Sequence, residues 1–134
     1  MDLAVDTNVV VAAILKQGIT RNLVFNSSLS LYSPERLSIE LANHEKEFLE
    51  KTGLSAEVFR EVFALVVSQI QIMPLKEYIA YADVAKKVSP DQDDWPFLAV
   101  ALSKKCVLWS NDKLLCNQKM VRVYSTQDLL DVLK

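Results

Sequence analysis

Short runs of branched and aromatic residues alternate along this chain with stretches of helical periodicity, and that alternation narrows the folds open to it. Leu3–Val5, Leu29–Tyr32, Val107–Trp109 and Val121–Tyr124 read as strands, being short, rich in β-formers and bounded by polar or turn residues. Ile70–Met73 is either a fifth strand or a connector ahead of Pro74. Helices are predicted over Val9–Lys16, Arg36–Lys51, Ala56–Ser68, Glu77–Lys87, Pro96–Lys104 and Gln127–Leu133. Gly18 and Gly53 stand where a left-handed residue ends the first two. Ser55 and Thr126 stand where N-caps open the third and the last. Strands separated by helices predict an α/β protein, a three-layer α/β/α sandwich around a mainly parallel sheet of four or five strands. The strands are nearly continuous in hydrophobicity, as burial on both faces requires. Leu3–Val5 is the expected central strand.

In such sheets ligands bind beyond the carboxyl ends of the strands, and acids recur there. Asp6 follows the first strand in "MDLAVDTNVV", and Glu40 lies early in the helix of "SPERLSIEL". Asp91, Asp93 and Asp94 precede the apolar helix of "SPDQDDWPFLAVAL", and Asp112 follows the third strand in "SNDKLL". Each alone has an ordinary reading. Asp6, Asp93 or Asp94, and Asp112 can cap helices, and Glu40 can pair with Arg36 one turn earlier. Glu40, however, borders the inward stripe of Leu37, Leu41 and Phe48, where a carboxylate needs a partner. Gathered at one edge, these acids repel one another unless protons or cations intervene. An all-oxygen donor set selects hard cations, Mg²⁺ or Mn²⁺. His44 is the only histidine, and neither Cys106 nor Cys116 is placed with it, so a zinc site is not expected. The two cysteines read as small core residues.

Composition bounds the rest. The chain's 134 residues predict one domain spanning 1–134, large enough to bury a core. No apolar run approaches the ~20 residues that cross a bilayer, so no membrane association is expected. The acidic N-terminus does not resemble a signal peptide. Two cysteines form no disulfide framework, which predicts a cytoplasmic protein. A net charge of −2 offers no general attraction to nucleic acid, so phosphate contact must come from local basic residues or a bound metal. Arg21, Arg36 and Lys113 lie near the strand ends in sequence and are the candidates to grip phosphates.

Taken together, "VDTNVVVAAIL", "SPERLSIEL" and "DDWPFLAVALSKKCVLWSNDKLL" resemble, in order, the motifs of the PIN-domain family, which includes the VapC-like toxins of toxin–antitoxin pairs. The resemblance covers essentially the whole chain. Carried over by position, the family's acidic quartet falls on Asp6, Glu40, Asp94 and Asp112, with Asn8 and Ser110 as accessory polar positions and Asp93 in support. Asp94 fits the spacing to "FLAVAL" better than Asp93. The resemblance implies a Mg²⁺- or Mn²⁺-dependent ribonuclease that hydrolyses phosphodiester bonds with activated water. It also implies an RNA substrate, and an antitoxin protein if the chain is the toxin of a type II pair. A homodimer is expected as well, since the 51% hydrophobic content leaves room for an interface. The segment from Ser55 to Val88 matches the family's variable helical region.

Other readings compete. A non-catalytic PIN-fold binding module would keep the fold without turnover. A haloacid-dehalogenase-type phosphatase shares an Asp after its first strand, but its second acid is Asn8 here. A receiver domain also gathers acids around Mg²⁺, but its paired N-terminal acids are missing. Neither of these last two accounts for Glu40.

Overall fold

The computed structural model describes residues 1–134. Its elements are β1 (Asp2–Val5), α1 (Thr7–Leu15), α2 (Ile19–Val24), β2 (Ser30–Pro34), α3 (Arg36–Asn43), α4 (Glu45–Thr52), α5 (Ala56–Ser68), β3 (Ile70–Met73) and α6 (Leu75–Tyr78). They continue with α7 (Ala82–Val88), α8 (Trp95–Lys104), β4 (Val107–Trp109), β5 (Val123–Tyr124) and α9 (Thr126–Val132), with 3₁₀ turns at Ile79–Tyr81 and Leu115–Asn117. The strands form one five-stranded sheet in the order β3-β2-β1-β4-β5, and every pairing is parallel. β1 is central, and Ile70–Met73 is a true strand.

Alternation along β1 divides the core between two layers of helices. Leu3 and Val5 join Val10, Ile14, Leu37, Phe48 and Phe59 on one face. Ala4 joins Phe97, Leu98 and Val100 of α8 on the other. Every residue from Pro96 to Ala101 is buried, because α8 lies against the sheet while α6 and α7 cover it from outside. No helix is long and apolar enough to cross a membrane.

Several local expectations change. The helix expected over Arg36–Lys51 breaks at His44 (φ −104°, ψ 2°), where Asn43 and His44 are weak helix formers; Leu37, Leu41 and Phe48 are nonetheless all buried. Gly53 ends α4 in the left-handed region at φ 64°, as expected, but Gly18 is extended and precedes α2, a helix the periodicity did not reveal. Arg21 closes α1 instead, donating from Nε to the Ala13 carbonyl at 2.7 Å and from Nη2 to that of Ile14 at 3.0 Å. Arg21 is thereby committed to a helix end rather than to a phosphate. The stretch Glu77–Lys87 is α6, a 3₁₀ turn and α7, the interruption falling at the aromatic and β-branched Tyr78–Tyr81. Ser55 caps α5 by accepting from the Val58 N–H. Ser125, not Thr126, caps α9, in a reciprocal capping box with Asp128. Cys106 is half-buried, whereas Cys116 is exposed rather than in the core.

Candidate active site

Strand order dictates where the site lies. From β1 the chain moves to β2 and β3 on one side, then returns to β4 on the other, so the carboxyl ends of β1 and β4 flank the point where the winding reverses. The Asp6 N–H extends the ladder by donating to the Trp109 carbonyl at 3.1 Å. Asp6 therefore projects from the end of β1, opposite Ser110 at the end of β4. Buried Ser33 closes the other flank by donating to the Val5 carbonyl at 3.0 Å.

Ser110 is completely buried and Asp6 is 6% exposed. The Ser110 hydroxyl donates to Asp6 Oδ2 at 2.7 Å and accepts from the Asp112 N–H at 3.1 Å. One hydroxyl thus fixes the first acid and the backbone of the last. Burial pushes the Asp6 carboxyl above its ordinary pKa, with Asp112 and Glu40 adding to the rise. The Ser110 hydroxyl and the Asn8 backbone N–H oppose the rise, although the Asn8 N–H forms no capping hydrogen bond.

Asp94 precedes α8 at the cap position, yet its side chain makes no capping hydrogen bond. It is held up to about 6, first by burial and then by the charges of Asp6, Asp91, Asp112 and Glu40. That coupling is the electrostatic signature of acids facing one another across the strand ends. Asp112, by contrast, also has a local role: its Oδ1 accepts from the Leu114 N–H at 2.9 Å.

Glu40 is half-buried and doubly held. The Thr7 hydroxyl, at the start of α1, donates to Oε2, and Arg36 Nε donates to Oε1 at 3.1 Å. Its expected pairing with Arg36 is present, but Thr7 also ties it to the end of β1. The Thr7 contact was not legible in sequence, because the two residues meet only through the fold. Arg36 reaches Asp93 as well, at 3.4 Å, although that side chain is 70% exposed. Asn8 and Lys113 are exposed. His44 pairs with Glu47 on the surface.

The donors are oxygens throughout, and Asp94 faces the charges of Asp6, Asp112 and Glu40 without a capping hydrogen bond, so the set fits a hard divalent cation in kind. No three of the chain's acidic, histidine or cysteine side chains are gathered into a chelate as they stand. Asp6 is rigidly placed, Glu40 is engaged by Thr7 and Arg36, and Asp94 is the least constrained.

A family model described as "PIN domain" matches residues 4–129. Among curated proteins none matches the sequence significantly. Among solved structures, the chain is similar to PAE2754 from Pyrobaculum aerophilum, with a TM-score of 0.68 at 16% identity over 99% of this chain and 89% of that one. It is also similar to a chain of VapBC2 from Rickettsia felis, solved bound to a DNA fragment from their promoter, with a TM-score of 0.67 at 15% identity over 93% of this chain and 98% of that one.

Proposed function

The chain belongs to the PIN-domain family, and on that premise we propose that it is a Mg²⁺- or Mn²⁺-dependent endoribonuclease with Asp6, Glu40, Asp94 and Asp112 as its acidic site. The observation that carries the reading is the buried Asp6 carboxylate at the winding reversal, joined through the Ser110 hydroxyl to the Asp112 backbone. Asp94 beside it is raised by burial and by the charges of Asp6, Asp112 and Glu40. Such a perturbed acidic cluster at a strand-end crevice favours a functional site. Asp6, Asp94 and Asp112 would hold the metal, which when bound would supply an activated water and neutralise charge on the scissile phosphate. Ser110 keeps Asp6 in one orientation and positions the Asp112 backbone. Glu40, steadied by Thr7 and Arg36, orients the attacking water from the side of α3. Asn8, exposed at the same strand end, and Asp93, paired with Arg36, serve as accessory polar groups. The chemistry this site supplies would be in-line attack of water on phosphorus with departure of the opposite oxygen, with no covalent enzyme intermediate.

Likeness in fold to the VapBC2 chain supports a toxin role with an antitoxin partner. An apolar cleft of 280 Å³ between α3 and α5, lined by Leu41, Ala42, Phe59 and Phe63 among others, offers a surface for that partner or for a homodimer contact. Incubation with mixed RNA and Mn²⁺, with and without EDTA, tests the enzymatic reading: metal-dependent internal cuts support it, and intact RNA in every condition contradicts it.

A further inference from the structure

Trp95 is the first residue of α8, directly after Asp94, and its ring is only half-buried. Two shallow clefts meet at it. One, of 240 Å³, is lined by Lys86, Gln92 and Trp95. The other, of 250 Å³, includes Gln92 and Trp95 again, together with Arg36, Asp93 and Tyr78. The two clefts share Gln92 and Trp95 and so make up a groove around the indole, whose second part reaches Arg36, the residue that holds Glu40. None of Asp6, Glu40, Asp94 and Asp112 lines it, but Trp95 directly follows Asp94 and Arg36 bonds Glu40, so the groove lies beside the acidic site.

Its lining is unusual for a packing seam. The Lys86 ammonium stands 4.9 Å from the centroid of the Trp95 ring and forms no ion pair. Tyr78 leans on the indole from within, with ring centroids 6.1 Å apart at 59°, so the ring is braced. Gln92 adds an exposed amide that both donates and accepts. An aromatic face, an unpaired cation and an amide beside it are the elements that receive one base and its phosphate.

Resting on the nuclease reading, we propose that this groove is a subsite for an unpaired nucleobase of the RNA strand being cut. The Lys86 ammonium moves off the Trp95 ring to the neighbouring phosphate as the base takes its place on the indole, and Gln92 bonds to the base edge. Arg36 remains occupied with Glu40 and Asp93, which limits repulsion of the strand at the inner end. A duplex keeps its bases stacked on one another, so the subsite selects single strands.

The test measures binding of a labelled single-stranded RNA at low salt in EDTA, alongside cleavage of the same RNA in Mn²⁺. Trp95→Ala is expected to weaken binding about tenfold and to raise KM by a similar factor with kcat little changed. Trp95→Phe restores most of that loss, and Lys86→Gln lowers the salt dependence by roughly one phosphate contact. Unchanged affinity and KM in a Trp95→Ala protein that still cleaves overturns the subsite and leaves the nuclease reading intact. Absence of cleavage by the wild type overturns the nuclease reading, while the EDTA comparison still decides the groove. If circular dichroism shows Trp95→Ala unfolded, the exposed Gln92→Ala and Lys86→Gln decide, and unchanged affinity in both overturns the proposal. Duplex RNA bound as tightly as single strands, or Trp95-dependent binding of single-stranded DNA but not RNA, also overturns it.

Discussion

Ser110 donates a 2.7 Å hydrogen bond to Asp6 across a sequence separation of 104 residues, and that one contact joins the carboxyl ends of the two strands where the sheet reverses its winding. The same hydroxyl accepts from the Asp112 N–H, so removing it disturbs two acids at once.

Ser110→Ala is expected to destabilise the protein by about 1–3 kcal/mol, since it leaves a buried carboxylate and a backbone N–H without a partner. Denaturant unfolding measures the loss. Calorimetric titration with Mn²⁺ should show weaker binding than in the wild type, because Asp6 is no longer held in one orientation. Unaltered stability and Mn²⁺ affinity together would remove Ser110 from the account.

Asp94 sets a pH dependence of known sign. Its pKa in the folded chain stands at about 6, raised from 3.8. The folded state therefore binds more protons than the unfolded one between those values, and metal-free stability falls as pH rises through that window. The loss is on the order of 1 kcal/mol after allowing for solvent screening of a half-exposed acid. Asp94→Asn should abolish it, leaving the metal-free protein as stable as the wild type near pH 4 and more stable at pH 7. Melting temperatures of both proteins across that range, in EDTA, check this directly. A large loss of stability in the variant at pH 7 would mean that the fold stabilises the charged carboxylate, contradicting the burial and repulsion argued here.

Divalent metal should reverse the penalty. By mass action Mn²⁺ is expected to raise the melting temperature of the wild type, and Asp94→Asn should shrink that rise. An equal rise in both proteins would place binding elsewhere.

Thr7→Val tests the link between α1 and α3. Losing the hydroxyl bond to the Glu40 carboxylate should cost about 1–2 kcal/mol, and it leaves Glu40 held by Arg36 alone. Cleavage in Mn²⁺ is expected to fall while RNA affinity in EDTA stays near the wild-type value. A fall in affinity equal to the fall in cleavage would make Thr7 a binding residue rather than a positioning one.

The sheet was largely legible because strand composition and helix spacing are local signals. Val107–Trp109 and Ala56–Ser68 match to the residue, and Asp6 and Asp112, singled out because they follow strands, do lie beyond the carboxyl ends of β1 and β4. What failed depends on contacts that sequence spacing does not encode. Gly18 looked like a helix end, but the job belongs to Arg21, whose guanidinium returns to α1 from the next helix. Thr126 looked like a cap because it precedes the helix, yet its hydroxyl accepts from the indole N–H of Trp109 at 3.1 Å, while Ser125 does the capping. The Thr7–Glu40 bond and the groove beside Trp95 arise where α1, α3, α7 and α8 meet, and no periodicity within one segment reports that.

The most direct measurement compares Mn²⁺-dependent cleavage of one defined RNA by the wild type, Asp6→Asn, Asp94→Asn and Asp112→Asn, each first shown to be folded by circular dichroism. A site made of these acids requires internal cuts by the wild type that EDTA abolishes, with activity lost by at least about a hundredfold in each variant. Undiminished cutting by all three folded variants would contradict it.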